Sequence, residues 1–227
     1  MDPVNAWIAA RNGKLRNDRM SLFCHLTPSH LRMFDEFMAP SFCEEFDLVP
    51  FVRPQIGTGE PGNRHWEAAI RQKVDSMILA CERSPNKPFV WSDADVQGFG
   101  FCHDILIDFL GGHDIALMQG VAGDRCSTAF FIARPSVKWA FEKMLWGTYK
   151  TNKADEDIFN LLKHELNWRM LPPSLFWEAR WKMIGYDGIP NGLLVNHAGN
   201  FDKINDKVRW LTEVRSYVIA NKKGRKR

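Results

Sequence analysis

The segment Val90-Trp91-Ser92-Asp93-Ala94-Asp95-Val96 sets two carboxylates two residues apart, directly after a short apolar run. In an extended chain residues i and i+2 project to the same side, so Asp93 and Asp95 present their carboxylates on one face. Like charges that close raise each other's pKa unless a cation neutralises them, and a divalent metal is the obvious neutraliser. Phe89-Val90-Trp91 reads as a buried strand, and ligands of open α/β sheets gather beyond the carboxyl ends of strands. An Asp-x-Asp pair also caps helices and closes turns. Its position after a strand is what makes it a candidate metal site.

Other residues carry chemistry at a distance in sequence. His197 follows the apolar run Leu193 to Val195, where a lone histidine commonly serves as a core or surface residue. Beside two carboxylates, its imidazole would complete a mixed oxygen and nitrogen set suited to Mn²⁺ as well as Mg²⁺. Asp155, Glu156 and Asp157 open a predicted helix, a position the helix dipole favours for acids whatever their function.

These residues need a scaffold. Apolar runs at Ser21 to Leu26, Leu48 to Val52, Phe89 to Trp91, Ile115 to Met118, Thr128 to Ala133, Trp168 to Leu171 and Leu193 to Val195 read as strands. Helices are predicted from Thr27-Pro28, with Thr27 as cap, and over Ser136 to Trp146, Asp155 to Leu166 and Lys203 to Tyr217. Trp66, Ile70, Val74, Met77, Ile78 and Cys81 recur at helical spacing and define one more. Short strands alternating with helices predict an α/β fold, a mixed and mostly parallel sheet with helices on both faces. The loop Gly57 to Gly62 is too irregular for a phosphate-cradling fingerprint.

Composition narrows the class. At 227 residues the chain is of single-domain size, with a polar N-terminal arm over 1–20, a domain over 21–220 and a basic tail over 221–227. The net charge of +3 sits largely in that tail, Lys222-Lys223-Gly224-Arg225-Lys226-Arg227, which reads as a solvated end rather than a nucleic-acid surface. Five cysteines without a CxxC pair read as reduced thiols rather than a zinc or disulfide framework. No run approaches the ~18 apolar residues of a membrane span, and no signal peptide is visible, so a soluble cytoplasmic protein is expected.

The Asp-x-Asp segment resembles that of the nucleotide-diphospho-sugar transferases, a GT-A group of glycosyltransferases. The likeness continues in order along the chain. Cys126-Ser127-Thr128-Ala129-Phe130-Phe131 resembles the family's Asn/Ser-Ser-Gly-Phe strand, with Ala129 where glycine is usual. Asp155-Glu156-Asp157-Ile158-Phe159-Asn160 resembles its Asp-Gln-x-x-x-Asn helix start, with Glu156 for glutamine. Leu171-Pro172 with Phe176, and then Val195-Asn196-His197-Ala198-Gly199-Asn200, resemble two later motifs. The lysine of the common His-x-Gly-x-x-Lys form would fall on Asp202, leaving Lys203 and Lys207 nearby.

The resemblance implies a Rossmann-like GT-A fold and metal-dependent transfer of a sugar from a UDP- or GDP-sugar to a glycan, lipid or protein acceptor. It implies that Asp93, Asp95 and His197 hold Mn²⁺ or Mg²⁺. Leu26, Thr27, Lys73, Asp93, Ala94, Asp95 and Lys203 would bind the donor, and Asp155, Glu156 and Asp157 would act on the acceptor side or in catalysis. Phe176-Trp177 or Trp181 would stack on an acceptor sugar, and the helix start together with His197 suggests retention of the donor's anomeric configuration. Two alternatives remain: a metal-dependent nucleotidyltransferase, although Leu26-Thr27-Pro28-Ser29 lacks that class's glycine-rich basic loop, and an inactive nucleotide-sugar-binding module.

Overall fold

The computed structural model describes residues 19–57, 65–120, 124–151, 153–179, 188–199, 201 and 203–224. The predicted N-terminal arm lies outside them apart from Arg19 and Met20, as do Trp181, Asp202, most of the 57–62 loop and the end of the basic tail.

Nine strands are described: β1 (Ser21–Leu26), β2 (Asp47–Val52), β3 (Phe89–Ser92), β4 (Val96–Gly98), β5 (Ile115–Gln119), β6 (Cys126–Ala133), β7 (Trp168–Met170), β8 (Phe176–Glu178) and β9 (Val195–His197). The main sheet runs β2-β1-β3-β6-β5-β7 and the smaller one β4-β9-β8. In the main sheet β1 pairs in parallel with β2 and β3, and β5 with β7, while β6 alone runs against its neighbours. The expected mixed, mostly parallel sheet is therefore present.

Strand periodicity explains the layering. Leu22, Cys24 and Leu26 of β1, with Phe130 and Ile132 of β6, face one core with α1 (residues 31–42) and α3 (His103–Leu110). The intervening Phe23, Phe131 and Ala133 face another core with α2 (Trp66–Arg83), α4 (Lys138–Thr151) and α5 (Asp155–Leu162). A sheet buried on both faces has apolar residues at consecutive positions, which is why these strands read as continuous apolar runs. A third cluster seats the smaller sheet on α6 (Ile204–Gly224) through Trp177, Leu193, Trp210, Leu211 and Val214.

Local departures have local causes. Thr27 takes the expected cap position with Pro28 after it, ahead of a 3₁₀ turn, Pro28–His30, and its hydroxyl bonds the His30 ring at 2.8 Å rather than a backbone N–H. Helix α1 carries a π-helical stretch, Phe34–Met38, ahead of Pro40, which has no N–H to continue the ladder. Arg215 of α6 donates to the Glu36 carbonyl at 3.1 Å, satisfying an acceptor in that stretch. Among the predicted helices, Asp155 to Leu166 ends earlier at Leu162 and continues as a 3₁₀ turn, while the last helix extends to Gly224. Strands β4 and β8 and helix α3 lie outside the sequence-based expectations.

Phe131 joins the strands to the helices: its ring stacks on Trp91 at 6.2 Å and meets Phe141 of α4 at 5.6 Å. Replacing Phe131 with alanine should lower the unfolding free energy by about 3–5 kcal/mol, as large-to-small core substitutions do. Urea denaturation followed by circular dichroism would measure it, and a loss well under 1 kcal/mol would contradict the central place given to this ring.

Candidate functional site

The β3 strand ends at Ser92, and the chain turns through Asp93, Ala94 and Asp95 before entering β4 at Val96. Strand β9 pairs antiparallel with β4 so that His197 lies opposite Val96. The Ala198 N–H donates to the Asp95 carbonyl at 3.0 Å, and the Asp93 N–H to the Ala129 carbonyl at 2.7 Å. Backbone pairing alone thus brings the histidine motif to the carboxylates.

Asp93, Asp95 and His197 each offer a ligand atom, all within 4.8 Å of one another. His197 Nε2 lies 3.4 Å from Asp95 Oδ1, while Nδ1 faces Glu178 Oε1 at 3.8 Å. The β8–β9 register sets Glu178 beside His197. Two carboxylate oxygens and an imidazole nitrogen form a mixed donor set, and a ligating histidine commonly turns its second ring nitrogen toward a carboxylate. These residues fit a divalent cation. Gly199 completes the arrangement: a Cβ there would come within 2.6 Å of both Glu178 Oε1 and His197 Cε1.

Lysines balance the buried charge. Lys73 of α2 donates to Asp93 Oδ2 at 2.7 Å and pairs with Asp155 Oδ2 at 2.9 Å. Thr128 of β6 donates to the same Asp155 oxygen at 2.7 Å. Burial works against the Lys73 ammonium, but Asp155 and then Asp93 outweigh it and raise its pKa above that of an ordinary lysine. Burial likewise works against charge on Asp155, yet Lys73 and Thr128 hold it below the usual carboxylate range. Lys207 of α6 donates to Asp95 Oδ2 at 2.6 Å. Against the effect of burial, Lys207 and His197 keep Asp95 well below its ordinary pKa. Asp93 is raised, by burial first and by Asp95, with Lys73 and His197 opposing. Burial also opposes protonation of His197, but Asp95 outweighs it, followed by Glu178 and Asp93, and the imidazole pKa rises.

A cleft opens beside this cluster, with His25 and Thr27 from the end of β1, Trp66 and Lys73 from α2, and Asp93 to Asp95 and Lys207 along its walls. The predicted site residues distribute unevenly around it. Thr27, Lys73, Asp93, Ala94 and Asp95 line the cleft, whereas Leu26 is absent from the lining: its side chain is fully buried in the core and its carbonyl accepts from the Arg53 N–H at 2.8 Å. Lys203 is exposed at the entry to α6 and is absent from the lining, which instead includes Lys207 one helical turn later. Asp155 is buried under Lys73, while Asp157 pairs with Arg125 and Glu156 Oε1 lies 3.9 Å from the same guanidinium. Phe176 and Trp177 are buried in the core, so the expected stacking of that pair on a sugar is corrected.

Two of the motifs prove to be one unit. Asn160 donates to the Cys126 carbonyl at 2.8 Å and accepts from the Cys126 N–H at 2.9 Å, fixing α5 to the start of β6. Sequence reasoning passed over Lys207 as a site group, Glu178 and His25. Lys207 lies on the same helical face as Lys203, a signal that i,i+4 spacing makes available. Glu178 and His25 have no motif of their own, and only strand register reveals them. The thiols of all five cysteines are free, as expected. Among the described residues no helix is long and apolar enough to cross a membrane.

No family model matches the chain, and neither does any curated protein. Solved structures do match its fold. A glycosyltransferase involved in the glycosylation of the major capsid of PBCV-1 superposes with a TM-score of 0.63 at 9% identity, over 86% of this chain and 99% of that one. The glycosyltransferase GlyE of Streptococcus pneumoniae TIGR4 gives 0.58 at 14% identity, over 88% of this chain and 63% of that one. The galactosyltransferase LgtC, solved with donor and acceptor sugar analogues, gives 0.52 at 10% identity, over 87% and 96%. The chain has the GT-A fold.

His25 supplies a pH test of the cleft. Ser76 donates its hydroxyl to the Gln72 carbonyl, so it accepts from His25 Nδ1 at 3.3 Å, and Nε2 is left buried without a hydrogen-bond partner among the described residues. Burial, then Lys73, His30 and Arg53, push the His25 pKa from 6.5 down to about 3. The unfolded chain takes up this proton below 6.5 and the folded one does not until about 3, so stability falls as pH drops through that window. His25→Asn should therefore lose less stability between about pH 7 and pH 5 than the wild type in urea unfolding. Parallel losses in both proteins would show that His25 is not held neutral.

Proposed function

We propose that the chain is a metal-dependent glycosyltransferase that moves a sugar from a UDP- or GDP-sugar to an acceptor hydroxyl. The convergence of Asp93, Asp95 and His197 at the end of β3, beside a cleft in a GT-A fold, carries this assignment. The three matched structures being glycosyltransferases adds to it. In transfer, the acceptor oxygen forms a bond to the anomeric carbon as the bond from that carbon to the diphosphate breaks. A divalent cation on this site would supply Lewis-acid neutralisation of the charge growing on the leaving diphosphate.

The chain's own residues divide the remaining work. Asp93 and Asp95 hold the anionic ligand set, with His197 as the nitrogen donor. In this reading Thr27 and Ala94, which line the cleft, contact the nucleoside, and Lys73 holds Asp93 and Asp155 in place. Lys203, exposed at the entry to α6, is kept in this reading as a phosphate-binding candidate on the likeness of the histidine motif alone. Glu156 and Asp157, gathered by Arg125 at the start of α5, are assigned to the acceptor side on the likeness of this helix start. Asp155 has its Oδ2 engaged by both Thr128 and Lys73, which suits positioning rather than attack on the anomeric carbon. On the likeness of this helix start and His197 to the retaining branches of the GT-A group, we assign retention, in which the departing diphosphate oxygen takes the acceptor's proton.

Two measurements test this. Incubated with a panel of nucleotide sugars, the protein should release UDP or GDP only with Mn²⁺ or Mg²⁺ present. Asp95→Ala should lower that release at least about 100-fold while the circular dichroism spectrum stays that of the wild type. Full activity in excess chelator would remove the metal from the reaction. Proton NMR of the new linkage should show the donor's anomeric configuration; the opposite anomer would overturn retention and make Glu156 or Asp157 the general base.

A further inference from the structure

Lys73 and Lys207 each neutralise one carboxylate of the Asp-x-Asp pair, but they are held very differently. The Lys73 ammonium is shared among Asp93 at 2.7 Å, Asp155 at 2.9 Å and the Thr128 hydroxyl at 3.5 Å. The Lys207 ammonium pairs among the described residues with Asp95 alone, at 2.6 Å, on the cleft side of the site. Lys73 is a fixed counter-ion with three partners. Lys207 is a single-partner counter-ion on a flexible four-carbon stem that rises from the second turn of α6.

Asp95 Oδ2 faces that ammonium and Oδ1 faces His197 Nε2. A divalent cation drawn to the Asp93, Asp95 and His197 ligand atoms meets a unit positive charge already seated on one of its ligands, in a buried setting where like charges repel strongly. Occupation of the cluster therefore requires Lys207 to leave Asp95, and a displaced ammonium needs a new anion. Among the described residues the anionic groups facing the cleft are the two aspartates themselves, both then committed, so the anion is assigned to the ligand.

We propose that Lys207 and the divalent cation are alternative partners of Asp95, and that Lys207 passes to the donor's diphosphate when cation and nucleotide bind together. The proposal rests on the assignment of a nucleotide-sugar donor made above. It gives Lys207 two positions in one cycle, on the carboxylate and on the phosphate, and makes cation and nucleotide each promote the binding of the other. Such mutual promotion is reciprocal by linkage. The ammonium serves as the site's own cation until a stronger one arrives with an anion to receive it.

The test uses Lys207→Met, which keeps the stem and a good helix former while deleting the charge, with Lys207→Gln as a second variant and thermal melts to confirm folding. Mn²⁺ binding to the chelator-treated full chain is followed by electron paramagnetic resonance, first alone and then with saturating UDP or GDP. In the wild type, nucleotide should tighten Mn²⁺ binding within the range of about 5–150-fold that couplings between sites span. Both variants should bind Mn²⁺ alone more tightly than the wild type, by roughly tenfold, and show a smaller nucleotide-induced gain. Unchanged or weaker Mn²⁺ binding in the variants, or no Mn²⁺ binding by any of the proteins, overturns the competition. Tighter Mn²⁺ binding with an undiminished nucleotide gain overturns the transfer to phosphate. Tighter Mn²⁺ binding with no response of any protein to UDP or GDP sinks the nucleotide-sugar assignment and leaves the competition for Asp95 standing.

Discussion

Three carboxylates, Asp93, Asp95 and Asp155, sit where water cannot solvate them well, and the site exists because two lysines from separate helices compensate them. An uncompensated buried carboxylate costs several kcal/mol and neutralises itself instead by taking up a proton. Asp93 shows the tension directly: burial and Asp95 push its pKa up while Lys73 pulls it down. Helix α2 must therefore deliver Lys73 to Asp93 and Asp155, and α6 must deliver Lys207 to Asp95.

Backbone registers do the rest. The β4–β9 pairing sets His197 opposite Val96, and the β8–β9 pairing sets Glu178 beside His197. A slip of one residue would turn His197 to the opposite face of the small sheet, because side chains alternate with period two. The core fixes that register: Val195 packs under the main sheet and Trp177 against α6, so sliding either strand would expose buried apolar surface. Geometry at the cluster is thus held by packing on both sides of it, the condition under which ligand groups stay preorganised.

Much of this was legible in the sequence because the main sheet is buried on both faces. Its strands appear as apolar runs too dense to be loops, and the helices between them keep their period, as Val74, Met77 and Cys81 do in α2. The short elements were harder to read. Strands β4 and β8 have three residues each, and their formation depends on pairing with β9 rather than on local preference. Helix α3 is brief and follows Gly98, Phe99 and Gly100, letters that read as a loop. Asp93, Asp95 and His197 could be singled out because carboxylate spacing and residue type carry chemical meaning. Lys207 could be named only as a lysine four residues beyond Lys203, because nothing in Asp206-Lys207-Val208 itself marks it as facing a carboxylate far away in the chain. The Leu26 side chain and Phe176-Trp177 show the opposite limit: adjacency to a motif does not say which way a side chain points.

Identities of 9–14% to structures of the same fold mean that most aligned residues differ while the architecture persists. Cores tolerate such replacement as long as volume and patterning are kept. The cluster is less forgiving, because its demands are set by atoms rather than by volume. Gly199 illustrates this: a single methyl group there would press on Glu178 and His197 together, so the residue beyond β9 must be bare whatever the core contains. Ala129 illustrates the tolerance beside it. Its backbone carbonyl accepts from Asp93, a contact that any residue can make, so alanine can stand in the strand where the family pattern has glycine. Contacts made by the backbone leave the sequence free, contacts made by charge fix residue type, and close approach fixes size; those three rules mark which letters of this chain can vary and which are tied to the site.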